Sequence, residues 1–127
     1  DLDTHRCEIA SGNLSALCDC PFVLGSAEDI GGRIGRGLLR SSGVSPVSKA
    51  TSENVETLLA LCEQGVGACF CPENLLHTAL SPEQLAHLHI LPLCPEASYP
   101  ICFGYLSRSY PWSVLSEFIR IAREQTA

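Results

Sequence analysis

Apolar residues in this chain of 127 residues fall into short runs separated by segments with helical spacing. The run Pro21–Gly25 (PFVLG) is apolar and bounded by turn-forming residues, which predicts a buried strand. Four further short segments are predicted as strands, the second of them stopped by Pro72: residues 44–51, 68–71, 88–93 and 101–106. Residues 1–12 have no clear period and are interpreted as an entering strand or loop.

The segments between these runs predict helices. Over residues 26–43, apolar positions recur at helical spacing and Gly43 is placed as the C-terminal cap, although four interior glycines lower the helix propensity. The segment TSENVETLLALCEQG gives the clearest helix, with Ser52 or Thr51 as N-cap and Gly65 at its end. The apolar faces predicted for these two helices are Ile30, Ile34, Leu38 and Leu39, and Val55, Leu58, Leu59 and Cys62.

Two short helices and a closing helix complete the pattern. The sequence Ser81-Pro82-Glu83-Gln84 predicts an N-cap, a proline in the first turn and a reciprocal glutamine. After Pro111 the last helix has an apolar face of Leu115, Phe118, Ile119 and Ala122. Strands that alternate with helices predict an α/β fold with largely parallel connections in one structural unit.

Composition and charge narrow the class of protein. The net charge is −6 and Lys49 is the one lysine, so this chain alone lacks the clustered cations that DNA phosphates require. No apolar run approaches the roughly 20 residues that cross a bilayer, and no secretory leader opens the chain. Eight cysteines accompany long apolar periodic segments, which favours free thiols in a reducing cytoplasm over a secreted disulfide scaffold.

Three segments together resemble the LysR-type family of bacterial transcription regulators: LSALCDCPFVLG, SENVETLLALCEQGVGACFCPENLL and PICFGYLSRSYPWSVLSEFIRIAR. The second has the family's order of helix, G-x-G turn, buried strand, proline and small helix. The resemblance covers residues 13–123. It implies the effector-binding (substrate-binding) domain of such a regulator, with a fold similar to type 2 periplasmic binding proteins.

The resemblance also sets expectations about organisation and partners. Residues 1–127 would form the second lobe plus the C-terminal return strand and helix, with the winged helix-turn-helix and most of the first lobe outside this chain. The domain would bind a small, anionic effector without a cofactor and would not be an enzyme. It would contact DNA only through a domain outside the chain and would not contact a membrane. Without the first lobe, the face of Leu115, Phe118 and Ile119 on the last helix would be an exposed apolar patch, which predicts a homo-oligomer.

Candidate binding residues lie where predicted strands end and helices begin. Ligands of open α/β sheets sit beyond the carboxyl ends of the strands, near helix N-termini with free N–H groups. Gly25 and Ser26 follow the first strand, and Thr51 and Ser52 precede the clearest helix. The resemblance implies that both turns line the effector cleft and that the last strand, near Phe103, borders it. The alternative is that Ser52 only caps its helix and Ser26 only makes a turn.

Other chemistry-bearing residues leave alternatives open. The Cys-x-Cys pairs at Cys18/Cys20 and Cys69/Cys71 could hold zinc or sense redox state, but their spacing and apolar setting favour packing as small hydrophobes. The pair His87 and His89 is interpreted as surface histidine. No nucleophile with a supporting base is recognisable. Two alternative functions remain: a periplasmic-type solute-binding lobe, and a cysteine-rich metal- or redox-sensing module.

Overall fold

A computed structural model describes residues 2–93, 98–100, 102, 104 and 113–126. The described part is mixed α/β, as the alternation of strands and helices predicts. A 3₁₀ turn at Leu2–His5 and another at Ser15–Leu17 accompany the longer elements. These elements are, in chain order, α1 Arg6–Ala10, β1 Pro21–Gly25, α2 Ile30–Ser41, β2 Val47–Ser52, α3 Val55–Glu63, α4 Glu73–Ala79, α5 Pro82–Ala86 and α6 Ser113–Thr126.

The first twelve residues are helical over most of their described length, so the prediction of a strand or loop there was wrong. A single inward residue, Ile9, is buried on α1, while its neighbours Glu8 and Ala10 are exposed. One buried apolar residue does not produce a periodic hydrophobic pattern from which a helix could be predicted. The helix is nevertheless stabilised because Ile9 packs with Leu14 and Leu17.

Strands β1 and β2 are parallel neighbours, in agreement with the predicted parallel connection. β1 is buried from Phe22 to Gly25. On its other side it meets Ala68, whose carbonyl accepts from the Val23 N–H at 2.9 Å and whose N–H donates to the Pro21 carbonyl at 2.8 Å. β1 is therefore the central element of the layer.

Two predicted strands do not form as expected. The strand predicted over residues 68–71 reduces to the single bridge at Ala68, and pairing stops where the Phe70 ring stacks on Phe22 at 6.0 Å. Residues 88–93 form no strand. Their apolar pattern is satisfied by packing alone, since Leu91 and Leu93 lie against the core without backbone pairing. The strand predicted over residues 101–106 lies outside the described residues, apart from positions 102 and 104.

Helix α2 packs through glycines as well as through its apolar stripe. Of the predicted face, Leu39 is fully buried, whereas Ile30 is 50% exposed. Gly32 is buried so closely on the end of β1 that a Cβ there would lie 2.8 Å from the Gly25 carbonyl carbon and would overlap the Ser26 carbonyl oxygen. A Cβ on Gly35 would lie 2.5 Å from the Phe70 ring. Because these glycines have no Cβ, the helix can approach the sheet closely. In the sequence they indicate only a low helix propensity and not this close packing.

The predicted helix ends are confirmed at several positions. Gly43 follows the last turn of α2 with φ 72°, and Gly65 follows α3 with φ 79°. Both angles lie in the left-handed region that favours glycine after a helix. Ser81 and Gln84 form the reciprocal capping box of α5. The start of α3 differs from its prediction and is described with the candidate site.

The core divides into two clusters of buried residues. One contains Ile9, Phe22, Leu24 and Leu39 together with other buried residues of the N-terminal half. The other consists of Leu59, Leu76 and Leu80 and joins α3 to α4 and the turn before α5. Among the helices of the described ranges, none has the length and apolar character to cross a membrane.

Candidate functional site

The parallel strands bring four of the predicted binding residues to one edge of the sheet. In the β1–β2 register, Gly25 pairs with Ser52 and Leu24 with Thr51. Ser26 follows Gly25 directly. We call Gly25, Ser26, Thr51 and Ser52 the strand-end edge. The fifth predicted residue, Phe103, lies outside the described residues.

The hydroxyl groups of the strand-end edge have local partners, and the Thr51 hydroxyl lies 3.5 Å from the Ser48 hydroxyl. Ser26 Oγ accepts from the Glu28 N–H at 3.2 Å, which matches the alternative that this serine makes a turn. Ser52 Oγ accepts from the Asn54 N–H at 3.1 Å. Because Ser26 and Ser52 act as acceptors in these bonds, each keeps an O–H that can donate to a ligand oxygen. Ser26 and Ser52 are half-buried and Thr51 is exposed, so the edge is accessible.

The N-cap predicted for α3 was wrong. Asn54, and not Ser52 or Thr51, caps this helix, because its side-chain oxygen accepts from the Thr57 N–H at 3.1 Å. β2 continues through Ser52, so the chain leaves the sheet two residues before the helix begins. Several polar residues before an apolar stripe can each serve as cap, and the length of the preceding strand decides among them.

Arg36 places a cation at the strand-end edge. Its guanidinium donates to the Gly25 carbonyl at 3.1 Å. Its Nε is buried and, among the described residues, has no hydrogen-bond partner. A buried N–H without an acceptor is costly, so this guanidinium would favour a further acceptor nearby. The sequence analysis did not single out Arg36 as a candidate site residue.

Acidic residues oppose part of this positive charge. Asp29 caps α2, and its carboxylate accepts from the Gly32 N–H at 3.3 Å. Glu28 is adjacent, and Glu53 follows Ser52. The strand-end edge therefore combines hydroxyl donors, one guanidinium and acidic neighbours, which suits hydrogen bonding of a small polar ligand better than attraction of any anion by charge alone.

The structure also contains a groove of about 570 Å³ that was not predicted. It is mostly apolar and is lined by parts of α2 and α3 and by residues 69–74, 88–93 and 98–99. None of the four strand-end residues lines it. The groove lies along the wall where residues 88–93 were expected to form a strand, so the incorrect strand prediction concealed it.

Three cysteines, Cys62, Cys69 and Cys71, form a thiol cluster in the wall of the groove. All three are half-buried, and their mutual interaction shifts the pKa of each thiol. Donation from Cys69 lowers the pKa of the Cys62 thiol to about 7, against an opposing effect of burial. The same contacts, with burial, raise the pKa of Cys69 far above its usual range.

The other candidate metal ligands do not belong to this cluster. Cys20 packs on the N-terminal core cluster, whereas Cys69 and Cys71 pack on the cluster of Leu59, so the two Cys-x-Cys pairs do not share a site. His87 and His89 are exposed. Within the described ranges, no three His, Cys, Asp or Glu side chains are arranged to hold a metal ion.

A comparison with family models matches residues 6–127 to the family described as LysR substrate binding domain. Searches of curated proteins and of solved structures found no significant match. The match covers nearly the whole chain and confirms the resemblance drawn from its helix, G-x-G turn, strand and closing helix. The family has a periplasmic-binding-protein-like fold, with which the mixed α/β structure is consistent. The chain therefore belongs to the LysR substrate-binding domain family, the effector-binding domain of LysR-type regulators.

Proposed function

We propose that this domain binds a small metabolite at the strand-end edge and that binding changes the activity of a DNA-binding domain outside the chain. The observation that carries the proposal is the β1–β2 register, which pairs Gly25 with Ser52 and so places both predicted turns together. Two parallel strand ends followed by helices form the usual ligand position of an open α/β sheet. Arg36 adds a guanidinium at this edge, where it donates to the Gly25 carbonyl, and a guanidinium can also donate to a carboxylate or carbonyl oxygen.

The organisation of the whole regulator belongs to the same proposal. Residues 1–127 would supply the second lobe, the return strand and the closing helix, and the first lobe and winged helix-turn-helix would come from residues beyond this chain. Effector binding would shift the equilibrium between two arrangements of lobes or protomers. The protein would act as a cytoplasmic regulator and not as an enzyme. An upstream reading frame that encodes a helix-turn-helix would support this organisation.

Binding is tested with a panel of small carboxylic acids, hydroxy acids and amino acids, using thermal unfolding followed by calorimetric titration. A ligand that binds only the folded state stabilises it, by about 2.7 kcal/mol at a hundred times its Kd. We expect Ser26→Ala and Thr51→Ala each to weaken the best ligand about tenfold, the cost of one lost hydrogen bond.

Ser41→Ala is the matched control, because the Ser41 hydroxyl donates to the Gly37 carbonyl at 2.9 Å near the other end of α2. Its affinity should equal that of the wild type. If Ser26→Ala and Thr51→Ala bind as tightly as Ser41→Ala, the strand-end edge is not the binding site.

Helix α6 supports the proposed homo-oligomer. Leu115 and Ile119 of its predicted apolar face are half-buried, whereas Phe118 is 51% exposed. Val114 and Ile121 are 78% and 45% exposed, and their spacing of seven residues places them on one side of the helix. Exposed apolar side chains of this size on one helix favour association between copies.

We expect sedimentation velocity to show concentration-dependent self-association that Val114→Ser combined with Ile121→Ser reduces. The loss of apolar area at the contact is the physical reason. Val66→Ser, at an exposed apolar residue outside α6, should leave the sedimentation profile unchanged. A monomer at all concentrations, or equal behaviour of both variants, would contradict the role of α6.

A further inference from the structure

We propose that the groove of about 570 Å³ is a second binding site, which takes a small aromatic amine. Its volume lies within the range of about 300–1,000 Å³ that small-molecule sites occupy. The groove shares no residue with the strand-end edge, so this inference goes beyond the proposed function and neither site depends on the other.

The groove has a buried apolar floor and an exposed polar rim. Leu59 and Leu76 line it and are 1% and 7% exposed, as members of one core cluster. The Phe70 ring lines it too, while it stacks on Phe22. The lining also has four polar residues that are all exposed: Glu73, Asn74, His89 and Ser98. A ligand that matches both parts has an apolar body and one polar end.

Helix α2 places little side-chain bulk in the groove, which leaves room for a planar ring. The α2 residues that line it are Gly31, Ile34 and Gly35. The space where a Cβ of Gly35 would lie is occupied by the Phe70 ring. A Cβ on Gly31 would have one neighbour within 4 Å, an oxygen of the Asp29 side chain at 3.2 Å. A ligand ring can therefore lie near Gly31 in a groove that Phe70 also lines, and aromatic rings favour contact with each other.

The charge of the rim favours an amine over an acid. Among the described residues that line the groove, Glu73 is the only acidic one and none is lysine or arginine. Within the same described ranges, Glu73 forms no ion pair. Its position in the first turn of α4 favours negative charge, so the carboxylate is stabilised without a cation from the protein. An ammonium group of the ligand is the complementary charge, whereas a ligand carboxylate would be repelled.

The test compares tryptamine, tryptophol and indole-3-propionate, which share an indole ring and a two-carbon linker but end in an ammonium, a hydroxyl and a carboxylate. The isotope-labelled chain is titrated with each, and the Kd is fitted to the amide shifts of Ile34, Phe70 and Leu76 in the groove. We expect tryptamine to bind about fivefold more tightly than tryptophol, the upper range for an ion pair that solvent reaches. Indole-3-propionate should bind most weakly. Equal affinities, tightest binding of the acid, or no saturable shift at these residues would overturn the proposal.

A charge-neutral variant isolates the part played by Glu73. In Glu73→Gln, we expect tryptamine and tryptophol to bind equally, because the ammonium has lost its partner. Glu56→Gln is the matched control, since Glu56 is an exposed carboxylate in the first turn of α3 that does not line the groove. It changes the net charge by the same amount and should keep the fivefold preference. Loss of the preference in both variants, or in neither, would contradict the role of Glu73.

A second variant fills the groove. Gly31→Leu places an apolar side chain in the space beside α2, so we expect it to abolish the saturable shifts with tryptamine. Gly37→Leu is the control on the same helix, because Gly37 does not line the groove and a Cβ there meets no atom within 4 Å. Tryptamine binding that survives Gly31→Leu as well as Gly37→Leu would show that the ligand lies elsewhere. The wild-type titrations decide the proposal even if a variant fails to fold.

The same spectra distinguish this site from two others. If a second copy of the chain occupied the groove, the amide shifts of Ile34, Phe70 and Leu76 would change on dilution without any ligand, and that result would overturn the proposal. Ser26→Ala, at the strand-end edge, should leave the affinity for tryptamine unchanged. Failure of the effector proposal and failure of the amine site are therefore separate results.

Discussion

Replacing Gly32 by alanine should lower the free energy of unfolding by about 3 kcal/mol, since overpacking against rigid neighbours costs energies of this order. A Cβ at this position would lie 2.8 and 2.9 Å from the carbonyl carbon and oxygen of Gly25 and would overlap the Ser26 carbonyl oxygen. All three atoms belong to the backbone at the end of β1, so no side-chain rotation relieves the contact. Helix α2 would have to move away from the sheet.

Gly37→Ala is the matched control on the same helix. A Cβ at Gly37 meets no atom within 4 Å. Alanine there should raise the free energy of unfolding by about 0.5–1 kcal/mol, because it loses less conformational freedom than glycine on folding. Urea denaturation monitored by circular dichroism compares the two variants. Effects of the same sign would show that α2 does not approach the sheet as closely as described.

Phe22→Ala should be the most destabilising single truncation, with a loss of about 3–5 kcal/mol as found for buried aromatic residues. Phe22 is 1% exposed and lies on the central strand between β2 and Ala68. Its ring stacks on Phe70 with centroids 6.0 Å apart, so the truncation removes a ring contact in addition to buried area. The space left is bounded by backbone of β1 and cannot collapse fully.

Urea denaturation measures this effect against Val47→Ala on the neighbouring strand. Val47 is 56% exposed, and its truncation should cost no more than about 1 kcal/mol, the range of strand propensity. A loss for Phe22→Ala no larger than that for Val47→Ala would contradict the central position of β1. If Phe22→Ala loses the expected free energy of unfolding and also binds the effector more weakly, this would further indicate that β1 supports the strand-end edge.

Short sequence patterns predicted the parts of the fold that depend on interactions between residues close together in the chain. Gly43 and Gly65 end their helices because each must adopt a positive φ, and Ser81 with Gln84 satisfies helix N–H groups within four residues. β1 was predicted because a short apolar run between turns has few alternatives to burial. These features depend on neighbours in the chain, so one sequence suffices to find them.

The incorrect predictions concern segments whose structure depends on packing against residues distant in the chain. Residues 88–93 have an apolar pattern that fits either a paired strand or an unpaired segment packed on the core, and tertiary packing selects the second. The close approach of Gly32 to Gly25 is equally invisible in the sequence, because glycine at a helix interior is read only as weak propensity. The groove is lined by residues 88–93, so it could not be predicted while these residues were assigned to a strand.

The candidate site was partly predictable for a general reason. Parallel strands end at the same edge, so Gly25, Ser26, Thr51 and Ser52 could be expected together once both strands were found. Arg36 reaches the edge from two turns into α2, and nothing in the local pattern indicates the direction of its side chain. That Cys62 and Cys69 line the same groove depends in the same way on how α3 lies beside the segment that follows it.

Amide chemical-shift mapping by nuclear magnetic resonance tests the central claim most directly. The isotope-labelled chain is titrated with the same panel of small acids, and residue-specific shifts are followed to saturation. We expect the best ligand to produce its largest saturable shifts at Gly25, Ser26, Thr51 and Ser52. No saturable shift with any member of the panel, or saturable shifts confined to residues away from this edge, would contradict the assignment of an effector site there.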